Sequence, residues 1–305
     1  MRQNFKKKVV GNKAGGRPPA AVEVAPEGVL AAALAGAGQD YAYAFAPLAA
    51  GALVPKLDEP NLRAPEAVAA AIRSALDDVS PRKHAVTLIL PDTLVRVFML
   101  DFDSLPTKAS DAMSVVRFRL RKMVPFDVEH ASLSYQVLSQ SATECKVLAA
   151  VTPGPILAEY EAAVRAAGYE PGAVLSSSLA ALEAVADMEA VMAANLSSLG
   201  ITTAITNGQD LLLYRTLDLP ADPRQFLFEI QRSIAVAAAY FEDKLGGRPR
   251  TLHYAGVEPI DEFAKCIGEP ELSLVEWLPR PNSGAMTTLP QTSYAGVAGA
   301  LAGVS

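Results

Sequence analysis

Short apolar segments punctuated by turn residues run through the whole chain, and their spacing alternates between strand and helix periods. Ala21–Val24 and Leu30–Ala35 read as two strands joined by a Pro26-Glu27-Gly28 turn. From Pro65 to Asp78, Val68, Ile72, Ala75 and Leu76 recur on one helical face, with Pro65 suited to the first turn and Pro81 barring continuation. Val86–Leu90 is an apolar, β-branched run that predicts a buried strand. Val95–Phe102 predicts another, broken by Pro106. A helix over Ser110–Met123 follows, capped by Ser110 with Asp111 in its first turn. Met113, Val116, Leu120 and Met123 form its apolar stripe, Arg117, Arg119, Arg121 and Lys122 spread over the rest, and Pro125 stops it. Ser132–Leu138 and Cys145–Val151 predict two antiparallel strands, and Ile156–Ala167 a helix closed by Gly168.

The pattern then starts again. Ser176–Met192 reads as an Ala-rich buried helix, and Ile201–Thr206 and Leu211–Leu217 as a hairpin around the type I′ pair Asn207-Gly208. Pro223 opens a long helix to about Leu245 with Phe226, Ile230, Ile234 and Phe241 on its apolar side; Gly246 and Gly247 end it. Thr251–Tyr254 reads as a strand, Pro259–Ile267 as a helix, Pro279–Pro290 as a loop and Ser293–Ala302 as a small-residue helix able to pack closely. The whole predicts an α/β chain of two βββαβα halves with an α+β insertion in the first and a ligand cleft between them. The expected division is a basic flexible tail (1–19), a first half (20–93), the insertion (94–172), a return helix (173–192) and a second half (193–278). A C-terminal segment (279–305) is expected to pack back on the first half.

Composition narrows the class. Of the 305 residues, 50% are apolar and 20% charged, ample for a buried core. No apolar run reaches the roughly 18–20 residues of a membrane span. Pro18, Pro19, Glu23, Pro26 and Glu27 interrupt the place where a signal-peptide core would lie. Cys145 and Cys266 are the only cysteines, which is no disulfide framework and suits a reducing cytoplasm. The net charge of −6 is uneven: residues 1–22 hold six bases and no acid, so the remainder has 21 bases against 33 acids, or −12. An acidic body argues against nucleic acid. The tail reads as a solvated segment or, through residues 2–17, as a peripheral contact with anionic membrane.

Catalytic signatures are missing. No GxSxG, HExxH, CxxC or Walker loop occurs, and His84, His130 and His253 lack metal-ligand spacing. Ser176-Ser177-Ser178 reads as a helix cap, and Asp101, Asp103 and Asp127 show no acid/base pairing.

The block LVRVFMLDFDSLP, RFRLRKM, Val124-Pro125-Phe126 and Ser134-Tyr135-Gln136-Val137-Leu138 resembles the extra subdomain of the actin-like PilM family of type IV pilus assembly proteins. Glu229-Ile230-Gln231-Arg232-Ser233 resembles a string of that family's second half, and the likeness extends more distantly to cytoplasmic domains of GspL-type secretion proteins. The resemblance covers about 20–304. It implies the actin-like, ribonuclease H-like fold, with ATP between the halves held by three glycine-rich turns. Their counterparts are eroded. Glu23 stands for the first Asp, with Pro26 and Glu27 before Gly28; Asn195, Ser197 and Ser198 stand in the second turn; Gly256 keeps one glycine of the third. Phosphate cradles need backbone N–H groups, little side-chain bulk and carboxylate-held Mg²⁺, so ATP and Mg²⁺ are disfavoured and no catalytic residue is assigned.

The resemblance therefore implies a non-catalytic scaffold, cytoplasmic and peripheral to the inner membrane. It would bind the cytoplasmic N-terminal peptide of a PilN-like membrane partner of the pilus platform, in a groove between the first half and the insertion. Phe118, Arg117, Arg121, Pro125 and Phe126 are the candidate groove residues, and both aromatics read equally as core. The alternative is an actin-like ATP-binding protein or ATPase with unorthodox phosphate loops.

Overall fold

A computed structural model describes residues 17–35, 40–185, 188, 190–269, 271–278 and 293–302. Most of the basic tail and the 279–290 loop expectation lie outside them.

The first half opens with an antiparallel meander: β1 (Ala20–Ala25), β2 (Gly28–Ala35) and β3 (Asp40–Pro47). Helix α1 (Pro65–Val79) crosses back to β4 (Ala85–Leu90), which lies parallel to β1. After the insertion come α3 (Gly154–Ala166), β8 (Glu170–Ser176) and the short α4 (Ser177–Ala181) with a 3₁₀ turn at Leu182–Val185. The sheet order is β3-β2-β1-β4-β8. The second half repeats this step for step. β9 (Val191–Leu196), β10 (Gly200–Asn207), β11 (Asp210–Asp218), α5 (Pro223–Leu245), β12 (Thr251–Gly256), α6 (Ile260–Ile267), β13 (Ser273–Glu276) and α7 (Ala295–Ala302) form the sheet β11-β10-β9-β12-β13.

Local chemistry explains the elements. Asp222 accepts from the Arg224 and Gln225 amides at the start of α5, Pro223 occupies its first turn, and Gly246 ends it at φ 75°. On α1, Val68, Ile72, Ala75 and Leu76 are buried as their spacing requires, in one core with Val22, Leu88, Leu90 and, from α3, Tyr160 and Val164. The matching core of the second half gathers Ile230, Ile234 and Phe241 of α5 and Phe263 of α6 against Met192, Ile205, Leu252 and Tyr254.

The insertion is the sheet β5 (Arg96–Phe102), β7 (Cys145–Pro153), β6 (Ala131–Gln140), in that order, with α2 (Ala109–Leu120) on one face. Its faces follow strand alternation. Phe98, Leu100, Val147 and Ala149 meet Ala112, Val116 and Leu120 of α2, while Val97 and Ala150 turn toward the first-half core. Helix α3, which the sequence division assigns to the insertion, puts Ile156, Tyr160 and Val164 into the first-half core instead.

The terminal helices cross between halves. α7, last in the chain, packs on β1 and β2, where Val297, Ala300 and Leu301 join Ala21, Leu30 and Ala32. Ala181 and Val185, from the end of the first half, meet Val191, Ala193, Ala255 and Trp277 of the second. The two helices approach closely: a Cβ on Gly299 would sit 2.2 Å from the Ala180 carbonyl oxygen.

Several expectations are corrected. The helix expected over Ser176–Met192 is only Ser177–Ala181 with its 3₁₀ extension, and Val191 and Met192 already belong to β9. β9 is buried along its whole length, so its apolar run carries no period to separate strand from helix. α2 ends at Leu120, and Ser110 is not its cap: Lys108 holds that position without a side-chain bond. In the second hairpin Asn207 pairs with Asp210, so the turn pair is Gly208-Gln209, with Gly208 at φ 58° and a register shift at Ile205/Thr206. β3, β8 and β13 add to the strands read from sequence.

Candidate functional site

The two opening hairpins meet across the space between the halves. In the first, Ala25 pairs with Gly28 around Pro26-Glu27; in the second, the Ser197 amide donates to the Gly200 carbonyl (2.9 Å) around Ser198-Leu199. Counting back two residues from each turn puts Glu23 on β1 and Asn195 on β9 at equivalent positions, one per half. Both are buried. The turns touch: the Ser198 hydroxyl donates to Glu27 Oε1.

Behind this contact lies a chain of polar side chains. Asn195 Nδ2 donates to Ser178 Oγ (3.1 Å) and Ser177 Oγ (3.3 Å), and its Oδ1 accepts from Ser293 Oγ (2.9 Å). Asp92, in the 3₁₀ turn Asp92–Leu94 after β4, accepts from the Ser178 amide (2.9 Å) and hydroxyl. From the second half it accepts from Thr202 Oγ1 (2.9 Å) and Tyr214 OH (3.4 Å). Its carboxylate thus joins α4 of the first half to β10 and β11 of the second. Nearer the surface, Arg96 on β5 makes a two-pronged pair with Asp218 on β11, at 3.0 and 2.6 Å.

Burial sets the protonation of these acids. Loss of water pushes Glu23 up to about 8; the neighbouring Ser177 hydroxyl opposes this, and the Asp92 and Glu27 charges add to it. Its Oε2 is buried without a hydrogen-bond partner, and a Cβ on Gly296 of α7 would stand 2.6 Å from that oxygen. Burial also raises Asp92, against its bonds from Ser178, Thr202 and Ser176. The Tyr214 hydroxyl is raised by burial and then by the Asp92 charge, so it is a neutral donor at neutral pH.

Beside the third turn, a cavity of about 10 Å³ remains among Tyr254, Gly256, Glu276, Leu278, Ser293 and Tyr294. That is about the room of one water. Gly256 is needed for a contact within its own half, since a Cβ there would meet the Tyr254 hydroxyl at 2.3 Å. The site does not fit a nucleotide. The β1–β2 and β9–β10 turns, which would have to cradle phosphate, bond to each other, Pro26 offers no N–H, and Glu27 places a carboxylate at the turn. No group of three or more His, Cys, Asp or Glu able to hold a metal occurs among the described residues.

No protein-family model matches the chain, and no curated protein matches it by sequence. Among solved structures it is similar to a chain of the PilM–PilN type IV pilus biogenesis complex at 17% identity and a TM-score of 0.71, over 95% of this chain and 98% of that one. It is also similar to the cytoplasmic domain of EpsL, an inner-membrane component of the type II secretion system of Vibrio cholerae, at 15% identity and a TM-score of 0.52, over 88% and 90%. A Bacteroides thetaiotaomicron protein with an actin-like ATPase fold is similar at 12% identity and a TM-score of 0.52, over 84% and 90%. The fold is actin-like.

Within this actin-like frame Glu23, Gly28, Asn195, Ser197, Ser198 and Gly256 border the contact between the halves or the cavity beside it. Ser197 is spent locally, its hydroxyl closing the hairpin onto the Gly200 carbonyl at 3.1 Å. Sequence reasoning missed Asp92 and Tyr214. It also read the serine run as a cap, yet Ser176 makes no capping bond, and Ser177 and Ser178 link the halves.

The insertion separates the remaining candidates. α2 does not border the boundary with the first half; it lies on the opposite face of its sheet. Phe118 is 70% exposed, with the Arg121 guanidinium 5.5 Å from its ring centre. Arg121 also pairs with Glu129. Arg117 is committed to the Val128 and Ala131 carbonyls (3.1 Å to the latter). Phe126 is half-buried against the insertion core, and Pro125 is exposed. Phe126 is therefore core and Phe118 surface. No helix among the described residues is long and apolar enough to cross a membrane.

Proposed function

We propose that this chain is a non-catalytic scaffold of a type IV pilus or related secretion assembly, held at the cytoplasmic side of the inner membrane by a PilN-like partner. The observation that carries the reading is the direct bond between the β1–β2 and β9–β10 turns, Ser198 to Glu27. It ties the two turns to each other through their own side chains, and Asp92 and Asn195 join the halves behind it. The fold shared with a chain of the PilM–PilN complex supports the assembly role and the choice of partner. Partner contact then falls on a surface other than the cleft. Phe118, exposed and with the Arg121 guanidinium over its ring, is the docking anchor for the partner's N-terminal cytoplasmic peptide.

Two measurements test this. Isothermal titration with Mg·ATP is expected to show no micromolar binding; such binding, weakened by Glu23→Ala, would restore the nucleotide-dependent alternative. Pulldown with a synthetic N-terminal cytoplasmic peptide of a PilN-like protein is expected to succeed with the natural protein and fail with Phe118→Asp, circular dichroism remaining native. Binding unchanged by Phe118→Asp rejects the anchor, and a natural protein that captures no peptide rejects the partner.

A further inference from the structure

The outward face of α5 differs from that of its counterpart in the first half. On α1 the exposed positions include Glu66, Arg73, Asp77 and Asp78. On α5 they include Leu227 (38% exposed), Phe228 (59%) and Val236 (44%). α5 thus exposes three large apolar side chains among its polar ones where α1 exposes none, so the fold itself does not demand them here.

The order of residues along this face says what covers it. Arg224, Phe228, Gln231, Ala235, Ala239 and Glu242 follow at intervals of three or four, forming one exposed row about 27 Å long. The row reads base, large aromatic, amide, small, small, acid. Turned end for end, it is its own complement. An antiparallel copy centred near Ser233 brings Phe228 over the notch between Ala235 and Ala239 of the other chain, and Arg224 to the other Glu242, twice by symmetry. Arg224 has no acidic partner among the described residues. Glu242 has only an exposed contact with Arg248 at 3.5 Å, which is cheaply exchanged. Gln231 is anchored by its bond to the Cys266 carbonyl (2.8 Å), so α5 is presented on a fixed base. A two-fold contact requires such a self-complementary patch.

We infer that α5 pairs antiparallel with α5 of a second copy of this chain, making a two-fold homodimer. A single helix pair buries less area than a standard stable interface, so the dimer is weak. Sedimentation equilibrium of the full chain from 1 to about 200 μM reads it directly. The natural protein is expected to pass from monomer to dimer over this range. Phe228→Glu is expected to remain monomeric throughout with unchanged circular dichroism, since the side chain is exposed. Arg224→Glu is expected to weaken the dimer about tenfold by turning two attractions into repulsions, and adding Glu242→Arg to restore it to within about threefold. A natural protein that stays monomeric at the highest concentration overturns the inference, as does a dimer indifferent to Phe228→Glu. Failure of the double swap to restore association overturns the antiparallel pairing.

Discussion

Glu23 offers the sharpest quantitative test of the closed contact between the halves. Its carboxyl is buried, Oε2 has no hydrogen-bond partner, and burial holds it at about 8 against an ordinary 4.5. A carboxyl raised on folding adds stability that is fully present below pH 4.5 and is lost as pH climbs through about 8. Between those limits each pH unit removes about 1.4 kcal/mol. At pH 7, about 2.5 units above the ordinary value, the loss amounts to about 3 kcal/mol, and it levels near 5 kcal/mol above pH 8. Glu23→Gln keeps the shape and removes the titration. Urea unfolding of both proteins at pH 5, 7 and 9, compared at constant m-value, reads the difference. The natural protein is expected to lose ground relative to the variant by about 2–4 kcal/mol between pH 5 and 9. Parallel pH profiles for the two proteins would falsify the assignment of Glu23 as a protonated group sealed between the halves.

Other consequences follow from the same region. Asp92→Ala strips the Ser178 amide and the Thr202 and Tyr214 hydroxyls of their acceptor, and should cost about 2–4 kcal/mol in urea unfolding. Asp92→Asn, which keeps the shape and one acceptor, should cost less. Gly299→Ala drives a Cβ against the Ala180 backbone, and a drop of about 1–3 kcal/mol is expected by thermal or urea melt, whereas Gly247→Ala, with open space around it, should change little.

How far the sequence reached depends on whether the governing signal is local. α5 is legible to its ends because Asp222, Pro223 and Gly246 mark them within the segment itself. The β1–β2 hairpin and the core positions of α1 are legible for the same reason. β9 is not, because a strand buried on both faces has no alternation, and its Ala and Met residues suit a helix equally. β3 could have been found, since Tyr41, Tyr43 and Phe45 alternate with alanines in a run bounded by Pro47. The polar chain across the halves had no such signal. Asp92 meets Ser178, Thr202 and Tyr214 at separations of 86, 110 and 122 residues, and nothing beside it in sequence announces them. The placement of Phe118 was lost in a similar way: its helix was found, but which side of the β5-β7-β6 sheet that helix covers is a tertiary fact.

The crossing of the terminal helices has a consequence for biosynthesis. The inner face of the first sheet, with Ala21, Leu30, Ala32, Tyr43 and Ile89, receives its cover from α7, whose last residue is Ala302. A ribosome that has finished α4 at Ala181 must add about 121 residues before that cover exists, a delay of about 6–24 s at ordinary elongation rates. For that interval the nascent first half displays an oily sheet to the cytosol. Nascent chains stalled near residue 200 should therefore be far stickier, and more dependent on ribosome-bound chaperones, than chains stalled beyond the C-terminus with α7 extruded.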